Sequence, residues 1–169
     1  MIVVVMGVSG CGKSSVGQAI AARTGWTFIE GDDLHPEANR AKMASGKPLD
    51  DDDRWPWLDA IAETARDIEA NGGSVVVACS ALKKSYRDRL ARAGSAVKFI
   101  HLDGDRELIL ERMHARADHF MPPGLLDSQF ATLEAPAPGP LIHAFDISSS
   151  VDDIAGRAVA AIGPPSATQ

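Results

Sequence analysis

The 169 residues carry 23 aspartates and glutamates against 17 lysines and arginines, a formal net charge of −6 with histidine neutral. A chain of this length suffices for a single domain, residues 1–169, that buries roughly 70% of its unfolded surface. The acidic balance excludes nonspecific binding to nucleic acid or to anionic membrane, because both need a positive face. With only Cys11 and Cys79, no disulfide framework is implied, and a reducing cytoplasm is the expected compartment.

Along the chain, short apolar runs alternate with segments of helical period. Ile2–Met6 reads as a strand; it has no basic flank and is too short for a signal peptide or a membrane span. It runs directly into Gly7–Ser14, GVSGCGKS, and then into a helix over Ser15–Arg23. Thr27–Glu30 is a second strand, leading to the acidic turn EGDDLHP and an insert, Leu34–Arg54, that ends in four acids and one arginine. In the block LDDDDRWPWL, Pro56 is expected to start a helix over Trp55–Ala70, with the preceding acids favoured by its N-terminal dipole. Strands over Ser74–Cys79, Val97–Leu102 and His143–Ile147 then alternate with helices over Leu82–Ala93, Arg106–Arg116 and Val151–Ile162. Their apolar residues fall three or four apart, as in Leu82, Tyr86 and Leu90. Glu134–Pro140 is a proline-rich breaker, and residues 163–169 read as a tail. Strand alternating with helix, with strands apolar on both faces, is the pattern of an α/β fold with a parallel sheet covered by helices.

The stretch G-x-x-x-x-G-K-S after a strand and before a helix is a P-loop. Gly7, Gly10 and Gly12 let backbone N–H groups curl around phosphate oxygens, with Ser9, Cys11 and Ser15 adding their amides at the positive end of the helix dipole. Lys13 is expected to reach the β- and γ-phosphates of a bound nucleotide, and the Ser14 hydroxyl to ligate Mg²⁺. The third strand, SVVVACSAL, lacks an aspartate at its end. The acid must therefore come from Asp32 or Asp33, at a strand's carboxyl end where ligands of open α/β sheets gather. Asp32 is the choice for the proton acceptor, Asp33 for a capping role, and His35 at the mouth of the same loop for a hydrogen bond to an acceptor hydroxyl. His101, His114 and His143 have no ligand-like spacing and read as structural.

Four stretches together resemble the gluconate kinase family: GVSGCGKS, GDDLHPEANRAKMASGKPLDDDDRWPWL, Cys79–Ala91 and HFMPPGLLDSQFATLEAP. The family pattern has glycine before His119, where this chain has Asp118. The resemblance implies a P-loop kinase sandwich with a five-stranded parallel sheet in the order 2-3-1-4-5, an acceptor-binding insert over about residues 32–58, and a mobile lid over about residues 112–126. It implies transfer of the ATP γ-phosphate to the 6-hydroxyl of D-gluconate, and a homodimer. Arg112 and Arg116, four apart on one helix face, would close with the lid on ATP and stabilise charge on the γ-phosphate. One of Lys83, Lys84 and Arg87 would touch acceptor or phosphate, Lys83 being the choice, while the others are solvated. Arg54 would pair with the substrate carboxylate through its forked donors. Two other readings are a kinase for another small acceptor, such as shikimate, and a nucleotide-sensing module; the acceptor insert and lid argue against the latter.

Overall fold

The computed structural model describes residues 1–115 and 123–163. Five strands, β1 (Ile2–Met6), β2 (Thr27–Glu30), β3 (Val75–Ala78), β4 (Val97–Asp103) and β5 (Ile142–Asp146), form a parallel sheet in the order β2-β3-β1-β4-β5. This is the order expected from the resemblance. All five residues of β1 are buried because the strand lies at the centre of the sheet with layers on both sides. Val3 and Val5 face a core with Val16, Ile20, Ile109, Phe145 and Ile154. Ile2, Val4 and Met6 face a second core with Trp57, Leu58, Ile61, Tyr86 and Leu90. Helices α1 (Lys13–Thr24), α5 (Arg106–Ala115) and α7 (Val151–Ile162) contribute to the first core, α3 (Asp51–Ala70) and α4 (Lys84–Leu90) to the second. Helix α6 (Pro123–Thr132) adds Leu126 to the first core, and α2 (Glu37–Ala44) lies between β2 and α3 in the chain. None of the helices among the described residues is long and apolar enough to cross a membrane.

Among the departures from the expected boundaries, three have a clear physical reason. Helix α3 begins at Asp51 rather than near Pro56, which stands inside it. Its N-cap is Asp50, whose carboxylate accepts from Asp53 N–H at 2.9 Å while Asp53 Oδ2 accepts from Asp50 N–H at 3.0 Å. This capping box satisfies donors that the first turn leaves free, and it outweighs the proline as the start signal. Helix α4 starts only at Lys84, because the chain turns at Ala81 with a left-handed φ of 43°. Helix α2 escaped the periodicity reading because it buries only Asn39 fully; it has no apolar stripe to detect.

Gly31 joins β2 to a 3₁₀ turn, Gly31–Leu34, and a methyl group there would overlap the carbonyl oxygen of Ala78 on β3. Trp57 Nε1 donates to Gly31 O at 2.7 Å, so α3 holds the same point. Gly31→Ala is expected to destabilise the fold by about 1–3 kcal/mol through overpacking. Urea unfolding measures this, and an unchanged midpoint would count against so close an approach.

Candidate active site

The loop after β1 is shaped by its glycines. An added Cβ at Gly7 would lie 2.8 Å from Leu102 O, and Gly12, the N-cap of α1, adopts a left-handed φ of 100°. No side chain caps α1. The free N–H groups of its first turn, at Lys13, Ser14 and Ser15, therefore face a cleft with the positive end of the helix dipole behind them. Lys13 Nζ donates to Val8 O at 3.0 Å, and Ser9 N–H donates to Gln129 Oε1 at 2.6 Å, tying the loop to α6.

The cleft encloses about 480 Å³, within the usual range for a small-molecule site. Ser9, Gly10, Gly12, Lys13, Ser14 and Ser15 line one end, and Glu30, Asp32 and Arg54 line it from the strand-end side, with Arg112 of α5 also in the wall. Glu30, Lys47 and Thr132 also line it and were not singled out from the sequence. Glu30 closes β2, so the rule that ligands gather at strand carboxyl ends was a signal available for it. Lys47 lies between α2 and α3 in no motif, and nothing local marked it.

The acidic block resolves into separate partnerships. Asp50 and Asp53 take Lys42, and Asp51 takes Lys83 Nζ at 2.7 Å together with the Tyr86 hydroxyl. The hydrogen bond from Lys83, joined by that from Tyr86, holds the Asp51 carboxyl below its ordinary range. Arg54 forms no ion pair with any described residue despite following four acids; its Nε donates to Leu49 O at 3.4 Å and its guanidinium lies 5.6 Å from the centre of the Tyr86 ring. Its charge is therefore left facing the cleft.

Other expected site residues fall elsewhere. Cys11 is buried beneath the loop, where desolvation raises its thiol, and its N–H donates to Val8 O at 3.4 Å. Cys79, at the end of β3, is likewise buried and its thiol is pushed up to about 12. Gly7 shapes the loop without lining the cleft. His35 is buried and stacked on Trp57, with ring centroids 4.1 Å apart, and does not line the cleft. Lys83 lines a recess that shares Leu49, Arg54 and Thr132 with the cleft. Arg87, expected to be solvated if it was not a ligand, is instead buried, donating to Ala81 O at 3.1 Å and Leu82 O at 2.9 Å to brace the β3–α4 turn. Lys84 pairs with Asp88 on the surface. Asp33 does not line the cleft, and its carbonyl accepts from Arg40. Arg112 Nη2 donates to Ile147 O, anchoring its guanidinium beside the segment between β5 and α7. Arg116, Asp118 and His119 lie outside the described residues.

A family model described as an AAA domain matches residues 2–136. The chain is 46% identical over 180 residues to a probable gluconokinase of Rattus norvegicus, covering 95% of this chain and 97% of the relative. It is 48% identical over 133 residues to the thermosensitive gluconokinase of Escherichia coli K12, covering 79% of this chain and 71% of the relative. The crystal structure of a gluconokinase from Sinorhizobium meliloti 1021 superposes with a TM-score of 0.88 at 49% identity, over 95% of this chain and 90% of that one. The chain belongs to the gluconokinase family. The matched AAA segment ends before β5 and α7, but the rat gluconokinase and the Sinorhizobium gluconokinase structure each align with 95% of the chain. The gluconokinase likeness is therefore one of the whole architecture as well as of the phosphate loop.

Proposed function

We propose that this chain transfers the γ-phosphate of ATP to the 6-hydroxyl of D-gluconate, giving 6-phosphogluconate and ADP. The observation that carries the reading is one cleft bounded by a phosphate-binding loop, a carboxylate at Asp32 and a guanidinium at Arg54 that its acidic neighbours leave unpaired. Asp32 accepts the proton of the attacking hydroxyl, and Arg54 takes the sugar-acid carboxylate in a bidentate pair. Lys83 stands beside Arg54 as a second cation for that end. The first-turn amides and Lys13 hold the phosphates, and Arg112 neutralises charge that develops during transfer, joined by Arg116 from a lid over about residues 112–126.

Mg²⁺ travels with the nucleotide and offsets its phosphate charge when bound. Among the described residues no three His, Cys, Asp or Glu side chains cluster as ligands, which suits a cation delivered by the phosphates and met by the Ser14 hydroxyl. The same reading takes residues 1–169 as one kinase domain in a cytoplasmic homodimer. The two free, buried cysteines accord with a reducing compartment.

ADP release measured against a panel of acceptors tests the assignment. Gluconate is expected to support turnover, and glucose and shikimate are not. Turnover with shikimate but not gluconate, or with no acceptor in the panel, would overturn it.

A further inference from the structure

The surroundings of His35 determine where its ring proton sits. Asn39 is 4% exposed, and its Nδ2 lies 2.7 Å from the carbonyl oxygen of Asp53. A backbone carbonyl can only accept, so the amide nitrogen, and not the amide oxygen, must occupy that position. The same Nδ2 lies 3.3 Å from His35 Nδ1, and with its second hydrogen it makes Nδ1 the acceptor. The proton of the neutral imidazole is therefore on Nε2, and Nε2 faces Asp32 Oδ1 at 3.8 Å. Burial, helped by the charges of Arg54 and Arg40, lowers the His35 pKa below its ordinary value and so favours the neutral ring, against the opposing pull of Asp32. The ring plane is held by its stack on Trp57, 15° from parallel, and Trp57 is itself fixed by its bond to Gly31 O.

We propose that His35 is a positioning residue for phosphoryl transfer: its Nε2–H, set in place by Asn39 and ultimately by the Asp53 carbonyl, orients the Asp32 carboxylate toward the acceptor hydroxyl. This rests on the reading of Asp32 as the base. On acceptor binding the separation closes to a hydrogen bond of about 3 Å, as side chains of a catalytic site tighten when substrate enters. One oxygen of Asp32 is then occupied by His35, and the other is left for the hydroxyl proton. The imidazole donates a hydrogen bond and does not take the proton. Asn39 thus links α2 and the first turn of α3 to the catalytic carboxylate, which gives the buried polar residue of α2 a purpose beyond packing.

Two measurements on the full chain test this. Nitrogen-15 NMR of His35 should show Nε2 protonated and Nδ1 bare at neutral pH; a proton on Nδ1 would overturn the proposal. This is read on the unsubstituted protein and decides the matter even if variants fold poorly. Second, His35→Phe keeps a ring on Trp57 but removes the N–H. It is expected to lower kcat about tenfold, the modest end of effects for aligning a catalytic base, with KM for ATP unchanged. In an Asp32→Asn background, itself slowed roughly 10²-fold, the same change should cost little more, because the two residues act as one unit. An equal further loss in that background would overturn the coupling. Parental turnover in Asp32→Asn would instead overturn the base assignment, a result distinct from an additive cycle between two slow variants.

Discussion

Replacing Lys13 by methionine is expected to cut turnover by roughly 10³-fold or more, because its charge is directed at the phosphoryl group in the transition state. The side chain lies on the cleft wall, only partly buried, with its amine on Val8 O and no ion pair to another described residue. Its removal strips no buried charge of a partner, so the fold should persist. Methionine retains most of the apolar stem, which separates lost charge from lost packing. Coupled assay of ADP release gives the rate, and thermal unfolding gives the fold. A variant that turns over at the parental rate would remove the nucleotide site from the P-loop, whatever the relatives do.

Arg54→Ala is expected to cost about 2–4 kcal/mol in kcat/KM for gluconate, roughly 30- to 900-fold, with affinity for ATP nearly unchanged. The magnitude follows from the chemistry of a guanidinium meeting a carboxylate in a cleft that excludes part of the solvent. It also follows from the bookkeeping of the neighbouring acids. Asp50 and Asp53 are taken by Lys42, Asp51 by Lys83 and Tyr86, and Asp52 is exposed with no ion pair to a described residue, so Arg54 neutralises none of the four. The discrimination between gluconate and glucose should shrink in the variant, since a neutral sugar never used the pair. If Arg54→Ala phosphorylates gluconate as well as the parent, the carboxylate grip belongs to Lys83, the remaining cation at the edge of the same recess.

The local patterns of the chain were sufficient for the phosphate loop, the strand-and-helix alternation and the family resemblance that carried the strand order. Those features depend on short-range spacing: glycines that permit a tight loop, apolar runs buried on both faces of a sheet, and an acid at a strand end. Asp32 was legible in this way, and it lines the cleft. The partnerships of the charged residues were not legible. Lys42 meets Asp53 across 11 positions, and Asp51 meets Lys83 and Tyr86 across 32 and 35. A block of four acids beside one arginine looks locally like a neutralised cluster, yet the tertiary fold supplies Asp50, Asp51 and Asp53 with other cations, leaves Asp52 exposed, and leaves Arg54 without an ionic partner among the described residues. The burial of Arg87 follows from a left-handed turn at Ala81 that no glycine announces. His35 passed for a substrate contact because its position beside Asp32 is local, whereas its stack on Trp57 and its tautomer depend on α2 and α3 packing over it. Backbone periodicity is encoded by neighbours, but the partner that a charge or a ring nitrogen finds is decided by which distant elements the collapsed chain brings within hydrogen-bond reach.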